Sequence, residues 1–442
     1  MRPSATAARI LLACVLASGL AGCSPSQADN EIVVQRFFGL CEAQYGGNTD
    51  VAAANGECGI MTSLINKFAA ENPDLKVRVN TVPWPGYDQL ASQIVTNNVP
   101  DVVTMHLSVI ADFQSRGLLE PMDEGLRAVG VESTDFTDVS LKGVTKQGRT
   151  FGMPYDTWAP LWHINLNYFR QAGLMQDGKP VLPTSPEELL EQARRFKKKT
   201  GKPYFVQILS NERQMFARNL YTYLMQQNAS FFADPERIHL QSAEARRVTN
   251  LFKSIYVEDL TTKNQDYGAA LNAFLNGAGG VYLGGTWLIS DFDLESSKPD
   301  RPLSGGYTVV MYPQLYPGRD AVFADGHAWV MPVKKRTSAQ RRGVFRFLEF
   351  LAEHNGEWAR TGHLPATKAA IGSAAFQALP YRSNIAKLGA IGTPLPAAVR
   401  RQFVVNDIVG EESGAAIMGQ KSIDDALVNA ELRVESLMKN LP

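Results

Sequence analysis

The chain reads as an α/β protein of two domains, and three observations carry that reading. Its 442 residues exceed what one hydrophobic core organises, so two bodies of about 200 residues are expected. Short apolar strand patterns alternate with helical ones, which demands a mostly parallel sheet with helices on both faces. The composition is that of an ordinary globular chain, with 45% hydrophobic residues and 44 basic residues matched by 44 acidic ones. That balance leaves no net pull toward nucleic acid or anionic lipid, and no nucleic-acid partner is expected.

The first element is a leader. Arg2 and Arg9 supply a basic start, and Ile10 to Leu20 form an apolar run too short to span a bilayer. The run closes on Leu20-Ala21-Gly22-Cys23, the pattern of a lipoprotein signal peptide. The expectation is removal of 1–22, a lipid on Cys23, and a tether over 23–30. The mature protein is then exported and anchored by lipid on the periplasmic or cell-surface side. Cys14 leaves with the leader, so Cys41 and Cys58 remain, and an oxidising compartment pairs them. The turn-rich segment between them has little to bury, so a disulfide restrains a loop that packing cannot hold. No ligand-spaced histidine accompanies these thiols, and neither a metal nor a cofactor is expected.

Glu31 to Phe38 is a strand pattern bounded by Gly39, and Ile60 to Ala70 recurs at helical spacing until Asn72-Pro73 stops it. Leu75 to Val82 alternates as a strand, Trp84-Pro85-Gly86-Tyr87 turns the chain, and Tyr87 to Thr96 resumes a helix. Asp101 to Met105 is the next strand, followed by a helix through Ile110 to Ser115 that ends at Gly117. Ligands of such sheets bind beyond the carboxyl ends of strands, where Phe37-Phe38, Trp84 and Met105-His106 fall.

At this point the residues resemble a family. Asp101-Val102-Val103, Phe113, Gly117-Leu118-Leu119 and Glu120-Pro121-Met122-Asp123 are similar to the first lobe of extracellular solute-binding proteins, in particular the family 1 group serving sugar ABC importers such as the maltose and trehalose receptors. Gly148 to Tyr155 resembles the first inter-lobe crossover of that family, and Asp325-Gly326-His327-Ala328-Trp329 the glycine-bearing loop at the second. Ala273 to Gly277 with Gly284-Gly285-Thr286-Trp287 resembles its Gly-x-Trp segment. Phe345 to Leu351, Trp358 and Gly362-His363-Leu364-Pro365-Ala366 resemble the third crossover. The resemblance implies a two-lobed periplasmic-binding-protein fold, type II-like, each lobe a mostly parallel sheet flanked by helices, with a hinge crossed three times. Lobe one would hold 31–155 and 313–364, and lobe two 156–312 and 365–442. It also implies a monomer that hands its ligand to the permease subunits of an ABC transporter.

A sugar presents C–H faces and a rim of hydroxyls, so its site needs aromatic planes and paired donors and acceptors. Trp84, Trp158, Trp287 and Trp329 lie near expected strand ends or crossovers, as do Phe38 and Tyr155. Gly284 and Gly285 beside Trp287 suit a close backbone approach, and in the family this tryptophan stacks on a sugar ring. The polar candidates are Arg36, His106, Asp156, Glu212, Arg213, Asp325 and His327, with Gly326 in the second-crossover loop. A carboxylate such as Asp156 accepts from two hydroxyls at once. Family members that bind glucose disaccharides often carry a carboxylate near position 106, where this chain has histidine.

The runner-up ligand is a phosphorylated polyol such as a glycerol phosphodiester, with Arg36 and Arg213 as phosphate contacts. Enzyme signatures are missing: the six histidines include no zinc-like spacing, and there is no nucleophile elbow or phosphate-binding loop. A secreted glycosidase, which needs only two facing carboxylates, stays as the third reading.

Overall fold

The run Glu31–Arg36, rich in β-branched residues, forms the strand β1 and is buried along its whole length. A strand covered on both faces is buried at successive positions, and Ile32-Val33-Val34 form the apolar centre of this one. The computed structural model describes residues 28–440, so the expectations on 1–22, Cys23 and most of the tether lie outside the described residues. The other strands that matter here are β2 (Lys76–Thr81), β3 (Val102–His106), β4 (Met153–Pro154), β5 (Pro160–Asn165), β6 (Phe205–Val206), β7 (Val281–Gly285), β8 (Tyr307–Val310) and β9 (His327–Val330).

They build two sheets. The first has the order β2-β1-β3-β9-β4, with β2, β1 and β3 parallel and β9 antiparallel to both its neighbours. The second has the order β6-β7-β5-β8, with one parallel pair, β6–β7, and β5 antiparallel to both flanking strands. Both sheets are thus mixed. Parallel pairing holds where a helix returns the chain to the same edge, and strands arriving from the other lobe enter from the opposite end.

The helices that position the site are α1 (Gly56–Glu71), α2 (Tyr87–Val95), α3 (Leu107–Ser115), α4 (Gln214–Gln226), α5 (Ala243–Val257), α6 (Ser338–Glu353), α7 (Gln402–Ile417) and α8 (Ile423–Lys439). Phe68 of α1 and Phe347 of α6 pack against the first sheet, together with Trp329 and Trp358. Every residue of α4 is buried, and it packs on α7, itself packed on α8. The second core gathers around Trp162, Phe169, Tyr221 and Phe252. The segment from Tyr312 to Ala324 corrects the expected lobe boundary. It carries Leu315, Val322 and Phe323 into the second core, so the chain rejoins the first sheet near His327 rather than at 313.

The passages between the sheets lie side by side. Asp156–Thr157 pairs with Leu364–Pro365, and Trp158 bridges to Asp325. Backbone hydrogen bonds from Tyr155 to His327 (2.8 Å) and from Trp158 to Asp325 (2.8 Å) complete the junction.

Candidate functional site

Beyond the ends of β1 and β3 the chain turns into loops that face the second lobe across a cavity of about 320 Å³. Phe37, Phe38, Gly39, Glu57, Trp84, His106 and His327 line it from the first lobe. Trp158, Glu212, Arg218, Tyr267 and Trp287 line it from the crossover and the second.

The Phe37-Phe38 wall is locally determined. Gly39 turns the chain at φ +88°, a conformation open to glycine. Arg36, buried beneath, donates to the Gly39 carbonyl (2.7 Å) and to Thr62 Oγ1 (2.8 Å) of α1. The Cys41–Cys58 disulfide is formed and ties the same loop to the first turn of α1, which carries Glu57.

The two cavity histidines are each held by a hydrogen-bonded partner. The His106 backbone N–H donates to Tyr87 Oη (2.9 Å), and the same hydroxyl is hydrogen-bonded to His106 Nδ1 (2.5 Å). Burial drives its pKa well below the ordinary value, and Phe37 stacks on the ring at 5.1 Å. His327 donates Nδ1–H to Asp156 Oδ2 (2.8 Å) and its backbone N–H to Asp156 Oδ1 (2.9 Å). Burial opposes charge on His327, but Asp156 outweighs it, and the pKa is raised.

On the second lobe Trp287 meets Trp158 edge to face at 5.4 Å and donates to Tyr267 Oη at 3.2 Å. A Cβ at Gly285 would stand 1.9 Å from the Trp287 ring, and one at Gly284 would strike Tyr282 and Leu288. These glycines therefore make room for side chains rather than for a ligand. The Arg218 guanidinium lies 4.7 Å over the Trp158 ring and donates to Gln214 Oε1 (3.3 Å). Among the described residues, Trp158 Nε1 and Arg218 Nε are buried with no hydrogen-bond partner. Glu57 stands 3.4 Å from His363 Nε2, and burial pushes its pKa up to about 8. Burial also raises Glu212.

Of the residues named from the sequence, Phe38, Trp84, His106, Trp158, Glu212, Trp287 and His327 come together at this cavity. The others do not line it. Asp156 is fully buried, its carboxylate taken by His327 and by Trp358 Nε1 (2.7 Å). Tyr155 and Trp329 belong to the first core. Arg36 braces the Phe37-Phe38 loop from below, and Arg213 pairs with Glu411 (3.0 Å). Asp325 accepts from Ser108 Oγ (2.6 Å) and the Gly326 N–H (2.8 Å). A Cβ at Gly326 would lie 2.2 Å from the Asp156 carbonyl oxygen, so that glycine serves the hinge.

Sequence reasoning passed over Glu57, Arg218 and Tyr267 as contacts. The one readable signal was Arg218, a lone basic residue inside the apolar helix α4. Asp156, His327 and His363 each bring a ligand atom within 4.8 Å of the others. The oxygens of Asp156 already accept three N–H bonds, which argues for a hydrogen-bonded hinge rather than a metal centre.

Two lobes joined by adjacent crossovers, with an aromatic and polar cavity between them, define a ligand-binding clamp. Residues 59–357 match the bacterial extracellular solute-binding protein family, and the chain belongs to it. The family is extracellular, so the chain is an exported one. Among the described residues no helix is long and apolar enough to cross a membrane. The fold is similar to that of maltose-bound MalE3 of T. maritima (TM-score 0.75, 18% identity, 92% of this chain and 99% of that one). It is also similar to the GacH receptor of Streptomyces glaucescens, solved unliganded and with acarbose (0.77, 16%, 93% and 100%). A third similar structure is UgpB of Mycobacterium tuberculosis in complex with glycerophosphocholine (0.72, 18%, 94% and 99%). No curated protein matches the chain in sequence.

Proposed function

We propose that this protein captures a carbohydrate of two or more sugar units between its lobes and delivers it to the permease of an ABC importer. It performs no chemistry on the ligand and works as a monomer tethered through lipid on Cys23. The observation that carries the reading is the cavity wall. Trp158 and Trp287 on one side and Phe38 and Trp84 on the other offer planes for pyranose faces. His106, His327, Glu57, Glu212 and Arg218 offer the donors and acceptors that a hydroxyl rim requires. The solved relatives of this fold that bind maltose and acarbose support the same class of ligand. The phosphorylated polyol is less well served, since Arg36 and Arg213 are committed elsewhere and, among the described residues, Arg218 is the one guanidinium lining the cavity.

A thermal-shift screen across sugars, followed by titration calorimetry, tests the reading. A bound sugar should also reduce the radius of gyration in small-angle scattering, because a ligand touching both lobes favours the state in which both touch it. Binding of a glycerol phosphodiester that weakens sharply with salt, with sugars silent, refutes the carbohydrate class.

A further inference from the structure

The overall charge of the chain is balanced, but the cavity is not. Two carboxyl side chains line it against one guanidinium. Arg218 is engaged inside its own lobe, over the Trp158 ring and on Gln214. Glu212 has no ion-paired or side-chain hydrogen-bonded partner among the described residues. Glu57 has only His363, whose pKa burial pushes down to about 4, so that it stays neutral. Two acids therefore line the cavity with no charged ion-pair partner among the described residues, His327 acting on Glu57 and Arg218 on Glu212 only through space. A buried charge without a partner is costly, and a ligand that supplies one is favoured.

Resting on the carbohydrate reading, we propose that the cleft selects a saccharide carrying an ammonium group. The ammonium sits against Glu57 and Glu212, and the aromatic residues of the wall, Trp84 and Trp287 among them, flank the sugar ring. Aromatic faces suit such a cation as well, since the ring quadrupole attracts it. Burial disfavours ionisation of these acids in the free protein, so the ammonium has to draw the proton off as it binds. Both have raised pKa values from burial: Glu57 faces His327, Asp156, Asp291 and His363, and Glu212 faces Arg218 and Asp266. An ammonium reverses that shift, so binding near pH 7 expels a proton from Glu57. A neutral sugar leaves the proton in place.

The test is calorimetry on sugar series that differ at one carbon only, each with a hydroxyl, an ammonium or an acetamide. Mono- and disaccharides of glucose, galactose and mannose configuration are included, with glycerophosphocholine as a cation without a sugar ring. The ammonium form should bind at least about tenfold more tightly than its hydroxyl twin, as a charge-assisted hydrogen bond replaces a neutral one. Titrations in buffers of different ionisation enthalpy should show proton release. Glu212→Gln and Glu57→Gln should each shrink the preference toward unity, with thermal melting confirming the fold. Hydroxyl or acetamide forms binding as well as the ammonium form overturn the proposal and leave the carbohydrate reading standing. Binding of glycerophosphocholine with every saccharide silent overturns both, as does silence across the whole panel.

Discussion

Asp156→Asn is the most informative single substitution, because Asp156 joins the hinge to the cavity. Its Oδ1 accepts the His327 backbone N–H at 2.9 Å, and its Oδ2 accepts His327 Nδ1 at 2.8 Å and Trp358 Nε1 at 2.7 Å. An asparagine has one oxygen where the carboxylate has two. If that oxygen serves His327 Nδ1 and Trp358, the amide NH2 confronts the His327 backbone N–H. If it is flipped, the Trp358 N–H is orphaned instead. Each hydrogen bond to a buried charged acceptor contributes about 1.5–3 kcal/mol, and a stranded buried donor adds its desolvation cost, so a loss of about 2–4 kcal/mol is expected. For a lobe of this size that lowers Tm by roughly 5–15 °C.

The effect should depend on pH. His327 has a raised pKa in the folded chain, so its stabilisation is fully present below its ordinary value of about 6.5 and is lost as pH rises through the folded value. Asp156 has a lowered pKa, with its largest influence, burial, outweighed by His327 and His363. Its contribution is present above pH of about 3.8 and is lost as pH falls through the folded value. The gap between wild type and variant in urea unfolding should therefore be widest between these limits and narrow toward pH 9. A loss under about 1 kcal/mol, or a gap that widens on raising the pH, refutes the assigned network.

Trp287→Ala removes an aromatic plane and the partner of Trp158, so ligand affinity should fall at least about tenfold in calorimetry while the melting curve moves little; unchanged affinity removes Trp287 from the site. Thiol labelling under denaturing, non-reducing conditions should find neither Cys41 nor Cys58 free. Reduction should cost about 3 kcal/mol of stability and weaken binding, since the bond braces the loop carrying Phe38 and the helix turn carrying Glu57. Cys23→Ala should release the protein from the membrane fraction; identical fractionation, with no lipid mass on the native N-terminus, contradicts the anchor.

The fold was largely legible because strand and helix periodicities are local. The runs placed at Glu31, Leu75 and Asp101 became β1, β2 and β3 within a residue or two at most boundaries. The site was legible only where it lies at the end of such a run. Phe38 follows β1, His106 ends β3, Trp84 sits on the bend before α2 and Trp158 lies in the bridged crossover, so their place at the cavity follows from topology. Trp329 bears the same signature as His327 but lies two residues deeper in β9, against Phe347 at 5.4 Å. Asp156 shows why polar residues were harder. Its side chain is claimed by partners 171 and 202 residues away, and nothing near 156 announces either. Glu57 reaches the cavity through the helix start beside the Cys58 bridge, a placement set by tertiary geometry.

The hinge and the ligand wall are consequently one hydrogen-bonded unit. Asp156 belongs to one passage between the lobes, His327 stands at the next, and Trp358 and His363 flank the third. His327 also lines the cavity, and the neighbouring crossover residue Trp158 lines it from the other side. A ligand pressing on either therefore acts on residues bonded to the pivot itself. Opening separates the wall formed by Phe38, Trp84 and His106 from the wall formed by Glu212, Tyr267 and Trp287, so an open clamp offers only part of these contacts. Only this difference between the two states lets a ligand shift the equilibrium toward closure. Substitutions at Asp156 should thus change affinity and the extent of closure together, whereas Trp287→Ala should weaken binding yet leave the closed state, once saturated, unchanged in radius of gyration. A closed-state radius that moves with Trp287→Ala but not with Asp156→Asn would place the coupling elsewhere in the hinge.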